Sequence, residues 1–466
     1  MLKSRSDYIC QESGQPCDEC PVRSDPDPEV SCATTPGCTY WRAKMRARQS
    51  PLAALTFAML IIDNELPPET EGGRPLSFRD RDSVIVDEGH NLEQQAASLF
   101  AGFTISPYSL PGEVYKNAGD RADWDDDRYG DVAPIIEDVN RRARNFITRH
   151  EGSEDKVRQV EQCQNYLRKH QYAVDEMDNE GRPWVVNVTD AVWPDSGEET
   201  KKIEMKPVDV DRFLAGKVWS RGQKRIISSA TIPYRDNIGT WADRIGLNGQ
   251  TNLISKPMPF DREHRLIHTN TMVGPMSGDS EDKNWDDAIE MLDEIHSHHR
   301  GENGLIHTYS YERAERLANS LGRDRVMVQP DDDTPKEVVI DNWQEDSRDI
   351  LASPSMMEGV DLHGDRCRWQ ALLKVPFAFA GDSRVSYLLN ERKDWNWYYE
   401  TASMDIQQSV GRAVRGPEPE EAASYYVIDS KFSDVMNRTS PPDWFTNAIT
   451  ESAPDHWFDP SAAPWR

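Results

Sequence analysis

The chain has 466 residues, which is too long for one ordinary domain and predicts two to four domains. Hydrophobic residues make up 37% of it and there are 14 tryptophans, which argues against a wholly disordered chain. Its 81 Asp and Glu residues outnumber 54 Lys and Arg residues, giving a net charge of −27.

The acidic surplus runs along the whole sequence, and only 16 of the basic residues are lysines. A diffuse acidic surface poor in lysine suits a protein that stays hydrated in high salt, so we expect a halophilic source rather than an ordinary acidic protein. The longest apolar run, Leu52–Ile62, is too short to cross a bilayer, and no signal peptide is recognisable. We therefore expect a cytosolic protein.

The first half of the chain alternates between apolar and highly polar stretches. Residues 49–62 are apolar and predict a buried element, and Ser83–Asp87 predicts a buried parallel strand. From about residue 94 to residue 215 the sequence is polar and charged, which predicts an exposed, mostly helical region. Arg225–Ser229 returns to a strand pattern.

After about residue 255, strand and helix patterns alternate. The predicted strands are Gly304–Tyr309, Arg325–Gln329, Asp349–Ser353, Ala371–Val375 and Ala423–Asp429. The predicted helices are Tyr311–Leu321, Pro335–Gln344 and Thr401–Val414. This alternation predicts a doubly wound α/β domain, and the Pro-rich end is expected to be a loose tail.

An acidic pair follows the Ser83–Asp87 strand, in the sequence VIVDEGHN. Open α/β sheets bind ligands at the carboxyl ends of their strands. Nucleotide hydrolysis needs one carboxylate to hold Mg²⁺ and a second to orient the attacking water. Asp87 and Glu88 suit these two roles, although a solvated turn can look the same.

A second candidate is QSVGRAVR, in which Gln408, Arg412 and Arg415 fall at helical spacings of four and three and so share a face. Two guanidiniums on one face can stabilise the charge on a transferring phosphoryl group. A solvated basic face is the alternative, but Gly411 beside Arg412 is a poor choice for an ordinary surface helix.

Read in chain order, the stretches DEGH, SSAT, HTYS, SMMEGVDL and QSVGRAVR resemble motifs II to VI of superfamily-two helicases, most closely those of the XPD/DinG family. Two further stretches support the resemblance: Lys3–Cys10 is similar to the lead-in to the family's first cluster cysteine, and Val375–Val385 to its segment before motif VI. Together with the acidity, the resemblance suggests a haloarchaeon or its virus as the source.

The resemblance implies roles for individual residues. Asp87 and Glu88 would be the Mg²⁺ and water residues, and His90 would couple the nucleotide site to the second motor domain. The residues facing the ATP phosphates would be Gln408, Gly411, Arg412 and Arg415. The residues linking nucleotide state to the grip on DNA would be Glu358, Gly359 and Asp361. Thr231 would belong to the motif that couples hydrolysis to movement.

Five of the seven cysteines lie in the first 38 residues: Cys10, Cys17, Cys20, Cys32 and Cys38. In a reducing cytosol such a group indicates metal binding rather than disulfides. The family carries a four-iron cluster just upstream of motif II, so the resemblance implies that four of these five hold a 4Fe–4S cluster. A zinc knuckle, favoured by Cys17-x-x-Cys20, and an unmetallated loop remain alternatives. Cys163 and Cys367 are isolated and predicted to be structural, and His296–His299 is predicted to be a polar helix end.

Two departures from the family pattern stand out. Gly89 replaces the usual alanine, a change that we expect to be tolerated. No G-x-x-x-x-G-K-[ST] loop is present, since the only Gly-Lys pair, Gly216-Lys217, is followed by valine. That loop cradles the phosphates of ATP. We expect it to come from an earlier start, from a separate chain, or to have been lost by gene decay.

The predicted fold class is α/β, with two RecA-like parallel-sheet domains, the first incomplete and carrying iron–sulfur and helical arch insertions. The predicted regions are 1–48 (cluster), 49–93 (motor domain 1), 94–215 (arch), 216–254 (rest of motor domain 1), 255–440 (motor domain 2) and 441–466 (tail). The predicted function is ATP- and Mg²⁺-dependent translocation on single-stranded or forked DNA with unwinding. A non-catalytic, helicase-derived DNA-binding or regulatory protein, and a zinc-binding module without motor history, are the alternatives.

Overall fold

A computed structural model of the chain divides into two compact units. Unit 1 comprises residues 1–228, 242–249 and 380–392, and unit 2 comprises residues 229–241, 250–379 and 393–466. The residues that the structure describes are 8–10, 14, 17, 38–63, 78, 81–116, 129–153, 156–247, 249, 251–330, 334–356, 359–414, 416, 418 and 422–458. Among these, no helix is long and apolar enough to span a membrane.

The helices and strands are numbered here in chain order. The helices are α1 (Thr39–Gln49), α2 (Phe57–Asp63), α3 (Leu92–Gln95), α4 (Gly112–Tyr115), α5 (Tyr129–His150), α6 (Val157–Glu180), α7 (Asp211–Lys217), α8 (Ile238–Arg244), α9 (Asp279–His298), α10 (Tyr311–Leu321), α11 (Lys336–Glu345), α12 (Ser383–Asn390), α13 (Trp395–Val410), α14 (Lys431–Arg438) and α15 (Asp443–Thr446). The strands are β1 (Arg81–Val86), β2 (Phe103–Ile105), β3 (Trp184–Val192), β4 (Glu199–Pro207), β5 (Gly222–Ile227), β6 (Ile267–His268), β7 (Gly304–His307), β8 (Val326–Val328), β9 (Ile350–Ser353), β10 (Trp369–Leu372), β11 (Ser424–Val427) and β12 (Ile449–Thr450).

In unit 1, β1 and β5 form a two-stranded parallel sheet. Both strands consist partly of β-branched residues, which favour extended backbone. Ile85 and Ile226 are partners in the register and are 61% and 51% exposed. Parallel sheets are normally covered on both faces, so this exposed apolar pair is unusual.

The region predicted to be a mostly helical arch has its own core and is not only helical. The long helices α5 and α6 pack against an antiparallel sheet of order β2–β4–β3. Buried residues from both layers, such as Val139, Phe146 and Val186, fill the space between them. Strand β4 alternates between buried and partly exposed positions and has five charged residues, which is why it resembles a solvated helical stretch in the sequence.

A buried ion triad joins the three segments of unit 1. The Glu93 carboxylate accepts hydrogen bonds from Arg244 at 2.9 and 3.1 Å and from Arg384 at 2.6 Å. Arg384 also donates to the backbone carbonyl of Val208 at 3.0 Å. Burial alone raises the pKa of Glu93, but the two guanidinium charges outweigh burial and hold the pKa at about 2. Glu93 is therefore ionised at any working pH.

Unit 2 is built on a seven-stranded sheet of order β12–β6–β11–β10–β7–β9–β8, in which every pair is parallel. The central strands β7, β9, β10 and β11 are completely buried, as expected for short apolar runs in a parallel sheet. One core cluster includes Trp285, Leu317 and Trp369, and a second includes Ile406 and Phe432. This α/β architecture confirms the predicted fold class.

Two predictions about the end of the chain need correction. The helix predicted over Thr401–Val414 spans Trp395–Val410, because Asp394 caps its start and the chain leaves the helix at Gly411. Within the described residues 441–458 the expected loose tail has regular structure, since α15 lies there and β12 pairs with β6 at the edge of the sheet. Short apolar segments between prolines gave no sequence signal for this edge strand.

Candidate functional site

The acidic pair lies where β1 ends in unit 1. Asp87 and Glu88 are exposed, and Glu88 has a left-handed backbone with φ of 50°. The next turn is fixed to the neighbouring strand, since the Ser228 amide donates to Val86 and the Gly89 amide to Ser228, at 2.8 and 3.0 Å. The two carboxylates therefore stand at the carboxyl end of a parallel strand pair, which is the ligand-binding edge of α/β sheets.

His90 follows the pair but points inward. Its side chain is buried, and Nδ1 lies 3.4 Å from a carboxylate oxygen of Glu88. The structure thus brings His90 and Glu88 together, with Glu88 exposed and His90 behind it. This arrangement lets the imidazole fix the direction of the Glu88 carboxylate.

Close packing against β5 restricts position 89 of the DEGH motif to glycine. A Cβ atom at position 89 would lie only 2.1 Å from Cγ2 of Ile227, at the end of β5. The branched Ile227 side chain is stiff at χ1 and cannot swing away freely. Gly89 and Ile227 are therefore a matched pair, a relation that a scan of motifs does not reveal.

In unit 2 three of the predicted residues form one hydrogen-bonded chain. The Gln408 amide nitrogen donates to the Thr231 hydroxyl at 2.8 Å, and Arg412 Nη2 donates to Gln408 Oε1 at 2.8 Å. Arg412 Nη1 lies 3.4 Å from the Val360 carbonyl oxygen. Gln408 lies in the last turn of α13, whereas Gly411 and Arg412 lie just after the helix ends. The shared helical face predicted for this motif therefore does not extend to Arg412.

Arg412 lines a cavity of about 490 Å³ within unit 2. The remaining lining residues come from α11 and from the segment between β9 and β10: Glu337, Ile340, Asp341, Gly359, Val360, Asp361 and Arg366. Gly359 has φ of 77°, a left-handed conformation that favours glycine. Asp361 is exposed and hydrogen-bonds His363 at 3.0 Å. Of the predicted residues, Glu358 and Arg415 lie outside the described part of the chain.

The lining acids Glu337 and Asp341 and the basic Arg366 were missed by sequence reasoning. They belong to no motif, and the first two lie on a helix more than 70 residues before Arg412. Their spacing of four in α11 puts both on one helix face, a signal that becomes informative only once the position of the helix is known.

His307, in the predicted motif HTYS, is part of the core. It is buried and hydrogen-bonds the Gln370 side chain at 3.0 Å. Burial lowers the pKa of His307 to about 4, and the nearby charge of Arg412 acts in the same direction. His307 is therefore neutral at neutral pH and positions the strand ends rather than binding an anion.

Three of the predicted metal-binding cysteines are described. Cys38 caps α1, and its Sγ accepts a hydrogen bond from the Trp41 amide at 3.4 Å. Cys17 is buried and belongs with Cys38 to one small apolar cluster that also contains Tyr40. Cys10 is adjacent to Ile9, whose carbonyl accepts a 2.9 Å hydrogen bond from Thr39 at the start of α1.

Cys20 and Cys32 lie outside the described residues, and within the described ranges no three side chains form a metal-binding group. Cys17 and Cys38 share the small apolar cluster, but the described thiols alone do not form a metal site. The two isolated cysteines behave as predicted for core residues. Burial raises the pKa of Cys163 to about 11 and that of Cys367 to about 12.

Comparison with known proteins finds one matching sequence family and several solved structures of similar fold. Residues 294–448 match the family described as Helicase C-terminal domain. A solved structure of Xpd4 from S. tokodaii is 16% identical, and the match covers 86% of this chain and 82% of that one with a TM-score of 0.52. A solved XPD helicase is 14% identical over 85% of this chain and 72% of its own, also with a TM-score of 0.52. No curated protein matches this chain. The chain therefore has an XPD-like helicase fold with RecA-like domains.

We predict that Gly89→Ala destabilises unit 1 and that Ile227→Ala relieves part of this effect. The new methyl group would overlap Ile227, and such overpacking costs roughly 1–3 kcal/mol. Chemical denaturation of the two single variants and the double variant would give the coupling energy, which should exceed about 0.5 kcal/mol. Gly216→Ala is the control, because a Cβ there meets nothing within 4 Å. Additive single effects would contradict the matched pair.

Proposed function

We propose that this chain acts as an ATP-dependent DNA helicase of the XPD/DinG type. The observation that carries the proposal is the hydrogen-bonded chain Thr231–Gln408–Arg412 beside the 490 Å³ cavity. It joins two stretches that resemble separate helicase motifs, 177 residues apart at Thr231 and Gln408. The family match of residues 294–448 and the XPD-like fold support the same proposal.

The described side chains suit the chemistry of phosphoryl transfer. When bound, Mg²⁺ would neutralise phosphate charge, and the exposed Asp87 would hold it through water. Glu88, braced by His90, would orient the attacking water. Arg412, fixed by Gln408 and Val360, would stabilise the charge that develops on the phosphoryl group without having to reorganise. For unit 2, the nucleotide-site roles of Arg415, Gly411, Glu358, Gly359 and Asp361 stay predictions.

Residues 1–466 contain no phosphate-binding loop of the G-x-x-x-x-G-K-[ST] type, so ATP binding would require this loop from another polypeptide segment. The two-stranded β1–β5 sheet supports this part of the proposal. Its exposed pair Ile85 and Ile226 forms an apolar face that the helices connecting additional parallel strands would cover. Such strands would end at the same edge as Asp87.

The first experiment measures ATP hydrolysis by this chain alone and by the chain supplemented with the polypeptide encoded directly upstream, fused or added separately. We expect hydrolysis stimulated by single-stranded DNA only in the supplemented protein. Glu88→Gln and Arg412→Ala should each lower kcat by about 10²-fold or more, by analogy with the loss of other transition-state contacts. Asp82→Asn, an exposed acid on β1, is the matched control and should leave kcat unchanged.

Absence of hydrolysis in the supplemented protein under high and low salt would defeat the enzyme proposal. It would favour the second candidate, a non-catalytic, helicase-derived DNA-binding protein. Assays over a range of KCl concentration also test the proposed adaptation to salt, since an acidic protein of this kind should keep its fold in molar salt.

An aromatic patch in unit 2 supports binding of single-stranded DNA. Trp395 and Phe379 are 47% and 79% exposed. Two residues before Phe379, Phe377 stacks on Tyr398 with ring centroids 4.8 Å apart and meets Tyr399 edge to face. Trp395 meets Tyr398 edge to face at 6.1 Å. Stacking on aromatic side chains binds bases of any sequence and depends less on salt than phosphate contacts do. Such a patch suits a chain with a net charge of −27.

We predict that Trp395→Ala and Phe379→Ala each weaken binding to single-stranded oligothymidine. Loss of stacking on one base lowers the binding free energy by about 1–3 kcal/mol, which raises Kd roughly 5- to 150-fold. Fluorescence anisotropy at fixed salt would measure the change. Phe458→Ala is the control, since this residue is equally exposed at 81% in the same unit. Unchanged affinity in both folded variants would contradict the role of the patch.

We also propose that four of Cys10, Cys17, Cys20, Cys32 and Cys38 hold a 4Fe–4S cluster. The position of Cys38 at the first turn of α1 supports it, because its sulfur accepts a backbone hydrogen bond of the kind that tunes such clusters. The cluster would shape a domain that separates the strands of the duplex. Arg42 and Arg46, exposed on α1 beside a cavity of about 600 Å³, would contact the DNA backbone there.

We expect protein purified without oxygen to be brown and to contain about four iron and four sulfide ions per chain. Cys38→Ser and Cys10→Ser should lose most of the iron and the visible absorbance. Cys163→Ser in the arch should keep both, as this thiol is buried in a separate core. One zinc ion per chain without iron would support the zinc alternative and contradict the cluster.

A further inference from the structure

Unit 2 contains a buried group of histidines that the proposed catalytic function does not use. His268 on β6, His299 after α9 and His456 near the end of the described chain surround Tyr426 on β11; we call these four residues the histidine cluster. All four are buried, with His299 completely so. His296–His299 forms the end of α9, as predicted, but His296 and His299 are buried.

Hydrogen bonds define which nitrogen of His299 carries the proton. Glu302 lies 2.8 Å from Nδ1, and the Tyr426 hydroxyl lies 2.7 Å from Nε2. An ionised Glu302 accepts from Nδ1–H, so Nε2 accepts from Tyr426. The Tyr426 oxygen in turn accepts from Trp457 Nε1 at 3.3 Å. Every member of this chain is satisfied while His299 is neutral.

The other two histidines also depend on being neutral. His268 Nδ1 donates to the Ser452 carbonyl at 3.1 Å, while its Nε2 is buried and contacts no hydrogen-bond acceptor in the described residues. Protonating Nε2 would leave a charged donor buried without a partner, which is strongly unfavourable. His456 Nε2 lies 3.4 Å from His299 Nε2, so two protons there would repel.

These contacts hold the segment that follows the family match. The backbone of β12 pairs with β6, and His268 binds Ser452 two residues later. The segment then returns to the cluster through His456 and Trp457, whose ring stacks on His298 at 4.5 Å. Segment 449–458, which we call the terminal segment, is thus held by imidazole contacts at Ser452 and at His456 and Trp457.

We propose that the histidine cluster is an acid-released latch that keeps the terminal segment on the edge of the unit 2 sheet. While the histidines are neutral, the terminal segment stays paired with β6. Protonation of the cluster favours a form in which the segment has left the sheet and the β6 edge is open to another strand. The inference rests on unit 2 alone and does not depend on ATP hydrolysis.

The electrostatics of the cluster agree with this proposal. Burial lowers the pKa of His268 to about 4 and that of His456 to about 3, and it also lowers the pKa of His299. The ionisable groups facing the cluster are Glu302, His296 and His298, and only Glu302 favours the charged form. In the released segment a histidine has a pKa of about 6.5. The open form therefore binds more protons below this pH, and acid shifts the equilibrium toward it.

Hydrogen exchange read by mass spectrometry tests the latch. After correction for the intrinsic pH dependence of exchange, we expect protection of segment 449–458 to fall between pH 7 and pH 5. The opening equilibrium should rise about tenfold per pH unit for each extra proton that the open form binds. The strands β7 and β10 should keep their protection, which shows that the opening is local.

His456→Phe preserves an aromatic ring without a titrating group, and we expect it to move the opening to lower pH. His456→Gln is a second variant should the phenylalanine disturb folding, and His150→Gln in unit 1 is the matched control. Equal protection of the wild-type segment at pH 7 and pH 5, simultaneous loss in β7 and β10, or an unchanged midpoint in both His456 variants would each overturn the proposal.

Discussion

Parallel pairing of strands is the constraint on which the candidate site depends. Neighbouring parallel strands bring their carboxyl ends to one edge of the sheet. Beyond the strand ends, the backbone N–H and C=O groups are not used in hydrogen bonds between strands. In unit 1 this geometry puts Asp87 and Glu88 next to Ser228, the residue after β5. In unit 2 it aligns the ends of β7 and β9 in the same way. Residues from distant motifs thus become neighbours without any special loop.

The same constraint explains how much of the fold the sequence could predict. The helix Tyr311–Leu321 was predicted with its observed bounds, and β7 and β9 were predicted with the correct starts to within one residue. Buried parallel strands are apolar runs and leave a clear pattern. The antiparallel sheet of the arch and the edge strand β12 were not predicted, because half-exposed or two-residue strands carry little of this signal.

Local spacing predicted part of the site but could not reveal its long-range partners. Gln408 and Arg412 are predicted neighbours at a spacing of four, but Arg412 reaches Gln408 from the turn after α13 and not from a shared helical face. The link from Gln408 to Thr231 required the resemblance of both stretches to helicase motifs. The constraint on Gly89 from Ile227, and the cavity lining from α11, depend on how segments pack, and one sequence contains no record of this.

The ion triad of Glu93, Arg244 and Arg384 has a consequence for biosynthesis. Glu93 and Arg384 are 291 residues apart, so at roughly 5–20 residues per second the ribosome needs about 15–60 s to deliver the second guanidinium. During that interval the nascent carboxylate has at most one of its two partners. The buried triad of unit 1 is therefore completed only after residues 250–379 of unit 2 have been synthesised.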